Sequence, residues 1–203
     1  QVGVSNIIDG GQGNNPSVSD LLKEIENTNS ENVFILPNNS NIILTAEHAA
    51  SEYKGDKNIK VIPTKSSGQG VVLSYIFDKD EEDAESVYGE LIELLNLTTI
   101  AQISPAIKDA KIDGVSIKKD EFMTIFDKKI IQSNSDINLS TRNLVKKMIK
   151  DEYEIITMFY GKNMNRKDIK KTVDFVDSLD TEVEIVIKDG GQKVYNWEVV
   201  GEK

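Results

Sequence analysis

The feature that most constrains this fold is a change of rhythm near Thr98. Before it, short strand-like runs each end in a polar turn that opens a helix-like stretch, the pattern of βα units. Val33-Phe34-Ile35-Leu36-Pro37 reads as a buried strand, followed by Asn38-Asn39-Ser40 as capping residues. The next stretch sets Ile42, Ile43, Ala46, Ala49, Ala50 and Tyr53 on one face of a helix. Ile59-Lys60-Val61-Ile62-Pro63 repeats the strand pattern, and residues 64–70 read as a Gly/Ser turn ahead of an apolar run. Upstream, Ser5-Asn6-Ile7-Ile8 reads as a further strand, with Ser17 three residues ahead of Asp20 in the manner of a capping box. The acidic run at residues 78–85 reads as the start of a helix ending near Leu95, where carboxylates favour the positive end of the helix dipole.

After Thr98 strands come in runs joined by short turns. Ala101-Gln102-Ile103 and residues 122–126 alternate their side chains, and Asp127-Lys128-Lys129 reads as a hairpin turn. A helix over 138–150, a strand over 155–160, a helix through Ile169, Val173 and Val176, and strands near 183–187 and 194–200 complete the pattern. The expected architecture is therefore an α/β lobe over residues 1–97, then an α+β lobe with a mostly antiparallel sheet over 98–203. No low-complexity linker separates the two.

Composition removes whole classes of chemistry. Zero cysteines excludes disulfides, thiolate metal sites and cysteine nucleophiles, and one histidine leaves little for zinc. A net charge of −10 makes nucleic acid and anionic lipid surfaces poor partners. No apolar run approaches the roughly 20 residues a membrane helix needs. No phosphate-binding loop or dinucleotide fingerprint is present. The chain opens on Gln1 rather than Met, which suggests a segment of a longer cytoplasmic protein.

The most informative local feature is a repeat. Ile-x-Asp-Gly-Gly-Gln occurs at Ile7, Asp9, Gly10, Gly11, Gln12 and again at Ile187, Asp189, Gly190, Gly191, Gln192. A strand ending in Asp-Gly-Gly turns sharply and leaves backbone N–H groups bare, and Gln adds an amide that donates or accepts. The pair reads either as ligand loops or as two ordinary glycine turns. Three polar turns, around Asn14, Asn15 and Ser17, around Asn38, Asn39 and Ser40, and around Ser66, Ser67 and Gln69, fall at the carboxyl ends of expected strands. That edge is where open α/β sheets bind ligands, although Asn and Ser are also the preferred helix caps. His48 falls on the polar face of its helix, and Trp197 with Tyr195 reads as packing.

Taken in order, Ile7-Ile8-Asp9-Gly10-Gly11-Gln12 with Asn15-Pro16-Ser17, Leu36-Pro37-Asn38-Asn39, and Ile62-Pro63-Thr64-Lys65 with Gln69-Gly70 resemble the C-terminal domain of fatty acid kinase A, of the dihydroxyacetone-kinase-related family. Ile112-Asp113-Gly114, Asp120 with Phe122, Tyr160-Gly161, and Asp189-Gly190-Gly191-Gln192 with Tyr195 extend the resemblance along the chain. The resemblance implies a multi-domain kinase whose N-terminal domain, absent here, holds ATP and Mg²⁺. Its substrate is a fatty acid on a separate DegV-type carrier, whose carboxylate is phosphorylated to an acyl phosphate for phospholipid synthesis. It implies no cofactor for this segment, a docking role toward the carrier, and a homodimer through the parent protein.

The chain also resembles the DegV-type carriers themselves, which implies a two-lobed fold with a Rossmann-like βα lobe followed by a mostly antiparallel sheet covered by helices. Gly10 and Gly11 stand where the carriers have two hydroxyl residues that meet the lipid carboxylate. A carrier-like shell with a lost or weakened fatty acid site is the expectation. Asp9, Gly10, Gly11, Gln12, Asn15, Ser17, Asn38, Asn39, Ser66, Gln69, Asp189, Gly190, Gly191 and Gln192 are the candidate contact residues, with no catalytic and no metal-binding residue among them. A lipid or small-anion module using the two Asp-Gly-Gly-Gln loops is the alternative reading, and an isolated phosphatase or kinase is the enzyme-class one.

Overall fold

A computed structural model of the chain describes residues 4–10, 15–77 and 83–203. Two compact units divide it, residues 1–96 and 97–203. In the first, α1 (Val18–Asn27) precedes β1 (Asn32–Ile35), α2 (Ile43–Glu52), β2 (Asn58–Val61), α3 (Ser67–Ile76) and α4 (Ala84–Leu97). β1 and β2 are parallel, with Val33 beside Ile59 and Ile35 beside Val61. Alternation along the strands sends these four side chains to one face, where they meet Leu21 and Ile25 of α1 and Ala46 and Ala49 of α2. Phe34 turns to the opposite face and joins Ile62, Leu73 of α3, and Val87 and Leu91 of α4. Parallel strands covered on both faces are the layering that a βαβ crossover produces.

Local chemistry sets the helix ends. Ser17 and Asp20 form the expected capping box: the Ser17 hydroxyl accepts from the Asp20 N–H at 3.2 Å and the Asp20 carboxylate accepts from the Ser17 N–H at 2.8 Å. At the other end of α1, the Lys57 ammonium donates to the carbonyls of Ile25, Glu26 and Thr28 at 2.7–2.8 Å. A cation there satisfies carbonyls that the helix leaves open and offsets its negative end.

The second unit holds β3 (Thr98–Pro105), β4 (Ala110–Ile112), β5 (Val115–Ile117), β6 (Phe122–Phe126), β7 (Lys129–Asn134), α5 (Ile137–Lys150), β8 (Ile155–Tyr160), α6 (Arg166–Asp177), β9 (Glu184–Asp189) and β10 (Trp197–Glu202). Six of the strands form one sheet in the order β7-β6-β3-β10-β8-β9. Only β8 and β9 are parallel, joined through α6. One face buries Ala101, Ile103, Ile156, Met158, Trp197 and Val199 against Leu144, Val145 and Met148 of α5, with Phe175 of α6 packed on the same cluster. The β6–β7 turn is a two-residue loop with φ of 44° at Asp127 and 69° at Lys128, the left-handed pair that matches strand twist.

Two sequence expectations are corrected. Residues 5–8 form no strand, and Ile7 is 81% exposed, so its apolar character has no sheet to join. The glycine run at 68–70 is not a turn ahead of α3 but lies within its first turns, capped by the Ser66 hydroxyl, which accepts from the Gln69 N–H at 3.1 Å. In the acidic run, Asp83 precedes α4 and its carboxylate accepts from the Glu85 N–H at 3.1 Å, while residues 78–82 lie outside the described residues. The β4–β5 hairpin, turning at Asp113-Gly114 with φ of 52° and 80°, adds two short strands to those expected.

Candidate functional site

At the carboxyl ends of β1 and β2 the chain gathers a polar cluster around Thr64. Its hydroxyl, fully buried, accepts from the Asn38 N–H at 2.9 Å and donates to the Asn38 side-chain oxygen at 2.9 Å. Asn38 itself sits at φ 57°, a left-handed conformation that Asn tolerates better than most residues. Gly70 lies under the Asn38 amide, and a Cβ there would overlap it. Ser66 and Gln69 are both buried, and the Gln69 side-chain oxygen accepts from the Lys65 N–H at 2.9 Å. The structure thus brings Asn38, Ser66 and Gln69 of the expected set together at one sheet edge. Sequence reasoning left out Thr64 as a site residue; its signal was the matched Pro-Thr pair after a strand.

The other expected residues of this unit go elsewhere. Asn39 accepts from the Asn41 N–H at 3.0 Å ahead of α2, and Ser17 is spent in its capping box. Asn15 and Asp9 are exposed, and the Gly10 N–H donates to the Ile8 carbonyl at 3.0 Å. Gly11 and Gln12 lie outside the described residues.

In the second unit Asp189, Gly190, Gly191 and Gln192 form a closed turn at the end of β9. The Gly190 N–H donates to the Tyr160 carbonyl and the Gly191 N–H to the Asp189 carboxylate, each at 3.0 Å. Gln192 folds back to donate to the Phe159 carbonyl at 2.8 Å, and its own carbonyl accepts from the Lys162 N–H at 2.9 Å. The Gly190 and Gly191 N–H groups expected to lie bare are therefore engaged, because the loop packs onto the end of β8. Gly191 at φ 63° supplies the left-handed step that the turn requires.

Chemically, the edge cluster is built of amides and hydroxyls, groups that hydrogen-bond without titrating near neutral pH. Among the described residues no group of three or more His, Cys, Asp and Glu could hold a metal ion, and no helix is long and apolar enough to cross a membrane. The His48 side chain is 63% exposed, 4.0 Å from Glu52. Trp197 is buried packing, edge-on to Tyr160. Charge is divided unevenly: residues 1–96 carry 6 basic and 16 acidic residues, a net −10, whereas residues 97–203 carry 18 of each and are neutral.

A second polar node, absent from the sequence expectations, joins the first turns of α5 and α6. The Asn138 amide donates to Asp136 at 3.0 Å and to Asp168 at 2.9 Å, and Lys171 lies 3.4 Å from Asp168. Hydrogen bonds from the Asn138 backbone and side chain hold the Asp136 carboxyl below its usual range. The Asn138 amide, aided by Asn165 and Lys171, does the same for Asp168. A depressed folded pKa contributes stability above the unfolded value of about 3.9, lost as pH falls through the folded value. Asp168→Asn is accordingly expected to be less stable than wild type at pH 7, with the difference narrowing as pH falls below about 3.9, read as urea midpoints across pH. A stability difference constant over that range would contradict the assignment.

The fold these units make is that of the DegV-type fatty-acid-binding proteins. The Streptococcus pneumoniae fatty acid kinase (Fak) B3 protein, solved loaded with linoleic acid, matches with a TM-score of 0.68 at 14% identity, over 92% of this chain and 76% of that one. A DegV family protein from Eubacterium eligens, loaded with heptadecanoic acid, matches with a TM-score of 0.66 at 12% identity, over 93% and 78%. The chain itself belongs to the FakA-like C-terminal family, the C-terminal part of fatty acid kinase A and proteins like it, which matches residues 1–202. An uncharacterized protein of Staphylococcus saprophyticus is 37% identical over 197 residues, covering 97% of this chain and 35% of that protein. This chain thus spans about a third of the length of the curated relatives it matches.

Proposed function

We propose that this chain is the non-catalytic docking part of a fatty acid kinase. It engages a DegV-type carrier loaded with fatty acid, so that a kinase domain elsewhere in the parent protein, holding ATP and Mg²⁺, phosphorylates the acyl carboxylate in the cytoplasm. The observation that carries this reading is a fold shared with fatty-acid-binding proteins, combined with glycine-loop donors that bond within the chain. Gly190, Gly191 and Gln192 spend their hydrogen bonds on the end of β8 and on their own turn, and Gly10 on Ile8, so none of these groups is poised to hold a carboxylate. The helix-covered face of the second unit, filled by Trp197, Met148, Met158 and Leu144, supports the same conclusion. Mass spectrometry of the purified chain is expected to find no stoichiometric acyl chain, and an ATPase assay no turnover of ATP. A co-purifying fatty acid would favour the lipid-module reading instead.

The confinement of the net charge to residues 1–96 supports electrostatic steering toward a carrier with a basic face, because complementary fields raise encounter rates more than they raise affinity. Neutralising residues 80, 81, 82, 83 and 85 as amides is expected to slow association roughly tenfold at low salt and to flatten its salt dependence. The variant should stay folded, since Asp83→Asn retains a residue that caps helices equally well. Stopped-flow association at low and physiological ionic strength reads both effects, and equal wild-type rates at the two would remove the steering argument.

A further inference from the structure

Among the described residues, two buried side-chain atoms have no hydrogen-bond partner within the chain: Trp197 Nε1 and Asn138 Oδ1. One can only donate and the other only accept. Their surroundings bring them to the same end of the second unit. Trp197 opens β10 in the middle of the sheet, paired with Ile103 and Tyr160, and its ring is buried on the face that the helices cover. Asn138 lies in the first turn of α5 and reaches across to Asp168 in the first turn of α6. Its neighbour Ile137 belongs to the same buried cluster as Trp197, and Met164, just ahead of α6, packs on that cluster too. At the far end of α5, Met148 lies against Gly201 near the end of β10, so helix and strand begin at the same end. The buried indole N–H and the buried amide oxygen thus lie at the end of the second unit where α5 and α6 both begin.

Rotating the Asn138 amide would not relieve the mismatch. Its nitrogen serves Asp136 and Asp168 together, and a flip would turn its oxygen toward both carboxylates. The orientation is fixed, and it leaves an acceptor facing the interior. A buried polar group without a partner loses its hydrogen bond to water and gains none in return, which is costly. One oxygen that accepts from the indole and donates to the amide would satisfy both atoms. An anion is excluded by the two carboxylates, and a cation by the indole N–H, which offers no lone pair. We propose that this is an internal one-hydroxyl site, in which a single water molecule accepts from Trp197 Nε1 and donates to Asn138 Oδ1, tying the α5–α6 junction to the central strand. Water is the occupant, because Trp197 is 0% exposed and leaves no opening for a larger alcohol.

Trp197 is the sole tryptophan, so the indole N–H of the ¹⁵N-labelled chain is a single, unambiguous resonance. Water-selective NMR is expected to show cross-relaxation from water to that proton, with the opposite NOE and ROE signs that mark a bound molecule rather than proton exchange. Oxygen-17 relaxation dispersion is expected to count one long-lived water fewer in Trp197→Phe than in wild type. Absence of the water cross-peak in wild type, or an unchanged dispersion amplitude in a folded Trp197→Phe chain, overturns the proposal. The wild-type spectrum decides alone if the variant does not fold.

Discussion

Trp197→Ala is expected to remove about 3–5 kcal/mol of unfolding free energy, the range for truncating a buried Trp. The ring has 0% exposure on the central strand of a six-strand sheet, between β3 and β8, and meets side chains from α5 as well as the sheet. Truncation leaves a cavity where the sheet and its helical cover meet, and Met158 and Leu144 of the same cluster are already fully buried, with little freedom to collapse into it. Because the substitution removes the only tryptophan, unfolding should be followed by circular dichroism rather than fluorescence. Leu44→Ala, at a position 77% exposed, is the control and should change little. A loss below about 1 kcal/mol for Trp197→Ala would mean that this layer is not packed as described.

Gly161→Ala is the second large effect, and its sign is opposite to that of Gly89→Ala. A Cβ on Gly161 would overlap the Tyr195 carbonyl oxygen and come within 2.8 Å of the Gln192 carbonyl oxygen. Both are backbone atoms of the loop that closes the Asp189-Gly190-Gly191-Gln192 turn, so no side chain can swing away to make room. Overpacking of this kind costs about 3 kcal/mol. In α4, by contrast, a Cβ on Gly89 meets nothing within 4 Å, and alanine should stabilise the helix by about 0.5–1 kcal/mol. Paired urea titrations read both changes. Equal and small effects at the two sites would contradict the close approach at Gly161.

These two glycines also show why part of the molecule was legible in sequence and part was not. Elements whose periodicity is local came through: residues 155–160 form β8 at those bounds, and the Ser17–Asp20 capping box and the hairpin at Asp127 stand as read. Residues 5–8 misled because an apolar run carries no record of whether a partner strand exists, and Ile7 has none. The run at 66–70 misled because its glycines and serines are poor helix formers, yet α3 begins on them. The reason is tertiary, since Gly70 must lie under Asn38 without a side chain in the way. The candidate site follows the same division. Asn38, Ser66 and Gln69 meet at one edge because strand ends do so in any parallel βα arrangement, which the alternation of elements announced. The contact that organises them, Thr64 to Asn38, spans 26 residues and leaves no local trace. The closure of the Asp189–Gln192 turn depends on carbonyls of Phe159 and Tyr160 that lie about 30 residues away in sequence.

The central claim is that the chain meets a loaded carrier and does not itself carry lipid. The most direct test immobilises the 203-residue chain, freed of any bound lipid, and passes over it a DegV-type carrier charged with fatty acid, with no kinase domain and no nucleotide present. Mass spectrometry then reads where the acyl chain ends up. The account predicts that the carrier is retained with its fatty acid still bound to it. A carrier that flows through while its fatty acid transfers to the immobilised chain would contradict it.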